Sequence, residues 1–167
     1  MTLKTENHNK DLYNILLFLS RSILFYKKIN LPDTFETRIY LMFFHFSILL
    51  IITKKKSEKF DQKIYDQLFY KIENNLRELG FGDVSVNKKM KEFNKILYDI
   101  LLKIEIYTKP KNNFKINHKL ASKYFIQLKD NKSEEFAIFE SYFSSFYDFC
   151  FDQPLNYMLR EAIKFRF

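Results

Sequence analysis

The sequence is short of the residues that break helices. It holds two glycines and three prolines in 167 residues. Apolar residues recur three and four apart, and with so few turn formers this predicts an all-α chain. The chain is also short of soft ligands. One cysteine excludes an internal disulfide and suits a reducing compartment. His8, His45, His118 and Cys150 show no zinc-ligand spacing, and there is no CxxC or CxxCH. GxSxG and the glycine-rich phosphate loops are absent too. The expectation is a binding protein and not an enzyme, with no cofactor and no metal.

The amino end, "MTLKTENHNK", lacks the apolar core of a secretory signal and the Arg-rich pattern of a transit peptide. Residues 1–10 are expected to form a disordered tail, and residues 11–167 a single compact helical domain. A chain of this length buries about two thirds of its unfolded surface, so it needs no staple. What the sequence has in excess is positive charge, a net +8. That favours anionic partners: RNA, acidic protein faces or anionic lipid.

Six to seven helices are expected, with a central apolar one. The first spans about Asp11 to Lys28. The second opens at "LPDTFETR", with Asp33 as N-cap and Glu36 three residues on to complete a box. It runs to about Thr53. Its stretch "IYLMFFHFSILLII" is apolar nearly all round, but its fourteen residues are short for a membrane span, which needs about 20. It therefore reads as a core helix packed on several sides, with His45 buried. The third helix covers about Asp61 to Leu79, with Ile64, Leu68, Ile72, Leu76 and Leu79 as its stripe. The fourth runs from an N-cap at Ser85 to about Tyr107 and stops before Pro110. A weaker fifth covers about Asn117 to Lys129. A sixth starts at Ser133, and a short seventh opens at Pro154.

Both glycines fall in one stretch, "LRELGFGDVSVNKKMK". Gly80 stands where a left-handed C′ residue ends the third helix. Gly82 is expected to let the chain reverse again before Asp83. A purely structural corner usually needs one glycine, so the second suggests a close approach, by the "LPDTFETR" corner or by a partner. On the fourth helix, Lys88, Lys91 and Lys95 lie opposite the apolar stripe. Arg38 and His45 are seven apart and about 20° apart around the second helix. They have two readings: a groove wall, or a buried histidine bonded to a carbonyl beside an ion-paired arginine. Arg77 and Glu78 read equally well as an ion pair on a solvated helix end.

Two segments are less generic: "SRSILFYKKINLPDTFETRIYLMFFH" and the glycine stretch. Through Arg21, Phe25, Tyr26, Pro32, Asp33, Thr34, Arg38, His45, Leu76, Arg77, Glu78, Gly80, Gly82, Asp83, Val86, Lys88, Lys89 and Met90 the chain resembles the ubiquinol–cytochrome c reductase chaperone family, over about Asp11 to Lys103. The sequence departs from the family pattern at Asn87, where a proline is usual, and at Asp99-Ile100, where Gly-Arg is usual.

The resemblance implies an all-helical fold without catalysis and a role in assembling the cytochrome bc1 complex. It implies newly made cytochrome b as client, with the ribosome and a small helical partner protein alongside. The chain looks like the bacterial branch, which places it in the cytoplasm, peripheral to the inner membrane; eukaryotic relatives act on the matrix side. The partner-binding set read on this basis is Arg21, Asp33, Arg38, His45, Arg77, Glu78, Gly80, Gly82 and Asp83, with Lys88, Lys89 and Lys91 as a basic rim. Two other readings stand beside it. One is a basic helical module binding RNA or an anionic membrane surface, through lysines at 54–59 and 88–95. The other is a haem-handling protein using His45, Met90 or Cys150.

Overall fold

The structure is a computed structural model that describes residues 11–108 and 114–167, apart from the side chains of 105–108. The expected tail at residues 1–10 and the expected stop at Pro110 lie outside the described residues. The described residues contain helix and no strand. In chain order they are α1 (Leu12–Ser20), α2 (Ile23–Lys27), α3 (Phe35–Lys55), α4 (Gln62–Glu78), α5 (Asp83–Thr108), α6 (His118–Tyr124), α7 (Glu134–Phe151) and α8 (Leu155–Ala162), with a 3₁₀ turn at Ile126–Leu128.

The long helices agree with the periodicity, and the first expected helix does not. It breaks into α1 and α2 at Arg21-Ser22, where Ser22 turns extended at φ −53, ψ 129. The serines supply the reason. The hydroxyl of Ser20 donates to the Leu17 carbonyl, and the Ser20 carbonyl accepts from the Tyr26 hydroxyl at 2.7 Å. Side chains that bond nearby backbone offer an alternative to the helix. The break turns Phe25 fully into the core. α2 ends at the C-cap Lys28, and a left-handed Asn30 (φ 62) follows two residues on.

The second expected helix, α3, has a different cap from the one its sequence suggested. Thr34, and not Asp33, accepts from the Thr37 amide at 3.2 Å. Asp33 pairs instead with Arg38 at 3.3 Å, and Glu36 faces Lys89 at 3.8 Å. α3 runs two residues past Thr53, and α1, α5 and α7 sheathe it. At 21 residues it is long and apolar enough to cross a membrane, yet from Leu41 to Leu49 every side chain is buried in the fold. Its apolar faces are covered by protein, as expected for a central core helix.

Three other helices open on capping side chains. Asp61, Asn117 and Ser133 each accept a bond from the first turn of α4, α6 and α7 respectively. On α4 the stripe differs by one exchange: Phe69 is buried, and Leu79 is 58 % exposed. The expected fifth helix ends early, at Tyr124, and the 3₁₀ turn takes up the rest. His118 begins α6, and its Nε2 donates to the Leu128 carbonyl at 2.6 Å.

Candidate functional site: a groove between α1, α3 and α4

The corner at Gly80 is built as a Schellman cap. Gly80 is left-handed at φ +96, its amide donates to Arg77 O at 3.0 Å, and the Phe81 amide reaches Leu76 O at 3.2 Å. Gly82 does something other than reverse the chain. It is not left-handed, and its carbonyl accepts the first bond of α5, from the Val86 amide at 2.9 Å. α5 therefore starts at Asp83, and Ser85 lies inside it, not at its cap. A Cβ at either glycine would meet nothing within 4 Å. The "LPDTFETR" corner does not press on this backbone, so the close approach expected from the same chain is absent here.

Asp83 is held within the corner itself. It pairs with Arg77 across the corner, and Arg77 also reaches Glu73 at 3.3 Å. A carboxylate in the first turn suits the helix dipole, and the exposed pair bridges the α4–α5 corner. The anticipated Arg77–Glu78 ion pair is replaced by these two partners.

His45 is not on a groove wall. It is fully buried in the middle of α3. Its Nδ1 lies 2.7 Å from the Leu41 carbonyl and its Nε2 2.8 Å from the Tyr142 hydroxyl. A carbonyl only accepts, so Nδ1 carries the proton and Nε2 accepts from Tyr142. Phe25, Phe143 and Phe146 close around the ring edge-on. Burial pushes the imidazole down to about 4, so it is neutral near pH 7 with both nitrogens engaged. Burial raises the Cys150 thiol to about 12. Neither side chain is free to bind haem iron. No group of three His, Cys, Asp or Glu that could hold a metal occurs among the described residues.

What the structure does bring together is Arg21, Arg38 and Glu78. They border a groove of about 220 Å³ between α1, α3 and α4. Phe35, Ile39 and Met42 of α3 and Leu17 of α1 supply the apolar floor, and Leu79 closes one end. Tyr13 and Asn75 complete the lining, joined by a hydrogen bond from the Asn75 amide to the Tyr13 hydroxyl. These two were missed in the sequence. Helical spacing held the signal: Tyr13 lies one turn before Leu17 and two before Arg21, and Asn75 lies one turn before Glu78.

The basic residues divide into two kinds. Lys88, Lys91 and Lys95 are exposed on the outer face of α5, as their spacing predicts, while Lys89 is half-buried over the Phe81 ring at 5.2 Å. The lysines at 54–59 are in part structural. Lys55 donates to the Tyr147 hydroxyl at 3.1 Å, and Lys56 donates to the carbonyls of Phe151 and Gln153 at 2.8 and 2.6 Å, closing the C-terminus of α7. Asp99, one of the departures noted above, binds Lys123, Lys103 and the Tyr124 hydroxyl. Partial burial opposes ionisation, but these bonds outweigh it and hold the carboxyl down at about 2.

A family model described as "Ubiquinol-cytochrome C chaperone" matches residues 27–134, well over half of the chain. The match takes in Arg38, His45, both glycines and the α5 lysines; Arg21, α8 and α7 beyond its first residue lie outside it. No curated protein and no solved structure matches the chain.

Proposed function

The chain belongs to the ubiquinol-cytochrome C chaperone family, and from that premise we propose that it holds unassembled cytochrome b in the α1–α3–α4 groove during assembly of the bc1 complex, on the cytoplasmic side of the inner membrane. One observation carries the reading. Arg21, Arg38 and Glu78, far apart in sequence, converge on one apolar-floored groove. Apolar burial there supplies affinity, and the charges supply orientation and on-rate.

The groove's size narrows its occupant. At about 220 Å³ it falls below the roughly 300 Å³ at which small-molecule sites begin. It suits one or two side chains of a client segment and is too small for a haem. Arg21, exposed and without an ion pair among the described residues, is the more accessible cation for an acidic client residue, while Arg38 is 32 % exposed and already paired with Asp33 at 3.3 Å.

The test is a deletion strain probed for assembled bc1 complex and stranded cytochrome b. Loss of the complex is expected, restored by the native chain and not by Arg38→Glu or Glu78→Arg. Normal levels of complex in the deletion strain would sink the proposal. Full restoration by both variants would move the client site away from this groove.

A further inference from the structure

A second groove opens on the other side of Arg21. It has a volume of about 530 Å³ and lies where the α1–α2 break meets the end of the chain and α7. Phe18, Ile23 and Phe167 stand at its rim, 47, 72 and 58 % exposed, and Leu24 lies between them. Two guanidiniums border it, Arg21 and Arg166, and no acidic side chain is among the lining residues. Arg21 makes no ion pair among the described residues. Arg166 stacks over the Phe18 ring at 5.4 Å and bonds the carbonyls of Ile163 and Phe165, which fixes it at the rim. Lys27 and Lys28 are exposed on the adjoining turn. Every lining residue lies outside the family-matched span.

Phe18 and Phe167 keep one contact each within the chain, with Arg166 and Tyr142, but all three side chains leave much of their apolar surface in solvent at one corner. An exposed apolar patch bordered by two guanidiniums and without acidic side chains in its lining suits an anionic bilayer: the apolar side chains enter the headgroup boundary and the guanidiniums meet lipid phosphates. The middle of α3 cannot serve instead, because every side chain from Leu41 to Leu49 is buried in the fold. We propose that the α1–α2 corner, through Phe18, Ile23, Phe167, Arg21 and Arg166, docks this chain peripherally on anionic membrane. Because Arg21 borders both grooves, docking sets the α1–α3–α4 groove beside the lipid surface. This deepens the membrane placement proposed above, and its test needs no client, so the two fail independently.

The experiment is flotation of the purified full chain with phosphatidylcholine vesicles, with and without phosphatidylglycerol. Binding is expected only with the anionic lipid, and weaker at high salt. Ile23→Asp should lower the vesicle affinity about tenfold or more, and Arg166→Glu with Arg21→Glu about fivefold per charge removed or more. Phe167→Ser gives a second apolar variant at an exposed position. Lys129→Glu with Lys132→Glu, exposed lysines outside the groove, serves as a charge-matched control and should bind nearly as the native chain. Unchanged thermal unfolding confirms that each variant is folded. Three results would overturn the proposal: no flotation of the native chain, an equal loss in the control pair, or native-like binding of Ile23→Asp and Phe167→Ser. The first, with the groove variants still losing a protein partner, would give the corner to an acidic protein segment.

Discussion

Arg38 and His45 sit on the same helix, seven residues apart and nearly on one line, yet they live in different environments. Arg38 borders an open groove, one-third exposed. His45 is sealed inside an aromatic cage. The difference comes from α7. It crosses the middle of α3 and sets Tyr142 on the imidazole, while no helix covers the first turns of α3 on the groove side. A helical wheel gives the azimuth of a side chain; the neighbour that covers it is decided elsewhere in the chain.

Substitution should make that contrast quantitative. His45→Ala removes a packed ring and leaves the Tyr142 hydroxyl buried without its acceptor, and it should cost about 3 to 4 kcal/mol in urea unfolding. Arg38→Ala breaks a solvent-screened pair and should cost about 0.5 kcal/mol or less. Equal costs at the two positions would erase the distinction between cage and groove.

Acid should act on the cage alone. The folded pKa of His45, about 4, lies below its ordinary value of 6.5. Between those values the unfolded chain binds a proton that the folded chain refuses. Stability is therefore intact above pH 6.5 and falls as the pH drops toward 4, by about 3 kcal/mol in all. Urea midpoints for the native chain and His45→Phe at pH 6.5 and 4.5 isolate this contribution, because the carboxylates are common to both. A parallel decline in the two proteins would show that the imidazole is not refusing the proton.

The two glycines invite the same kind of test on a smaller scale. Gly80→Val forces a β-branched residue into a left-handed conformation and should cost about 1 to 2 kcal/mol. Gly82→Ser should instead gain a few tenths of a kcal/mol, since a hydroxyl there can cap α5. A large penalty at Gly82 would mean that the open space around it is filled in the folded chain. Smallest of all is Ser47, whose buried hydroxyl has no hydrogen-bond partner in the described structure. Ser47→Ala should be neutral or stabilise by up to about 1 kcal/mol; a loss of that size would reveal a bond at this site.

Much of this architecture was legible. The helices α3 to α8, the caps at Asp61, Asn117 and Ser133, and the left-handed Gly80 all follow from local chemistry that a sequence carries in full. The readings that changed depend on choices between near neighbours or on distant partners. Asp33 and Thr34 both cap well, and Arg38 drew Asp33 away. Ser20 and Ser22 can sit in a helix or divide one, and Phe25's place in the core favoured division. The lysines at 54–59 read as part of a basic binding surface, but the C-terminus of α7 took Lys56 as its cap. For the candidate groove, Arg21, Arg38 and Glu78 were named from the sequence, while His45 and Asp83 were drawn off by Tyr142 and Arg77.

The sheathing of α3 has a consequence for the order of events during synthesis. Tyr142 follows His45 by 97 residues. At roughly 5–20 residues per second a ribosome needs about 5 to 20 s to cover that distance. Through that interval α1 and then α4 and α5 are at hand, but the flank of α3 that α7 will cover stays bare, in a segment that targeting machinery can read as a membrane anchor. The nascent chain thus briefly presents the same kind of surface as the clients proposed for the finished protein.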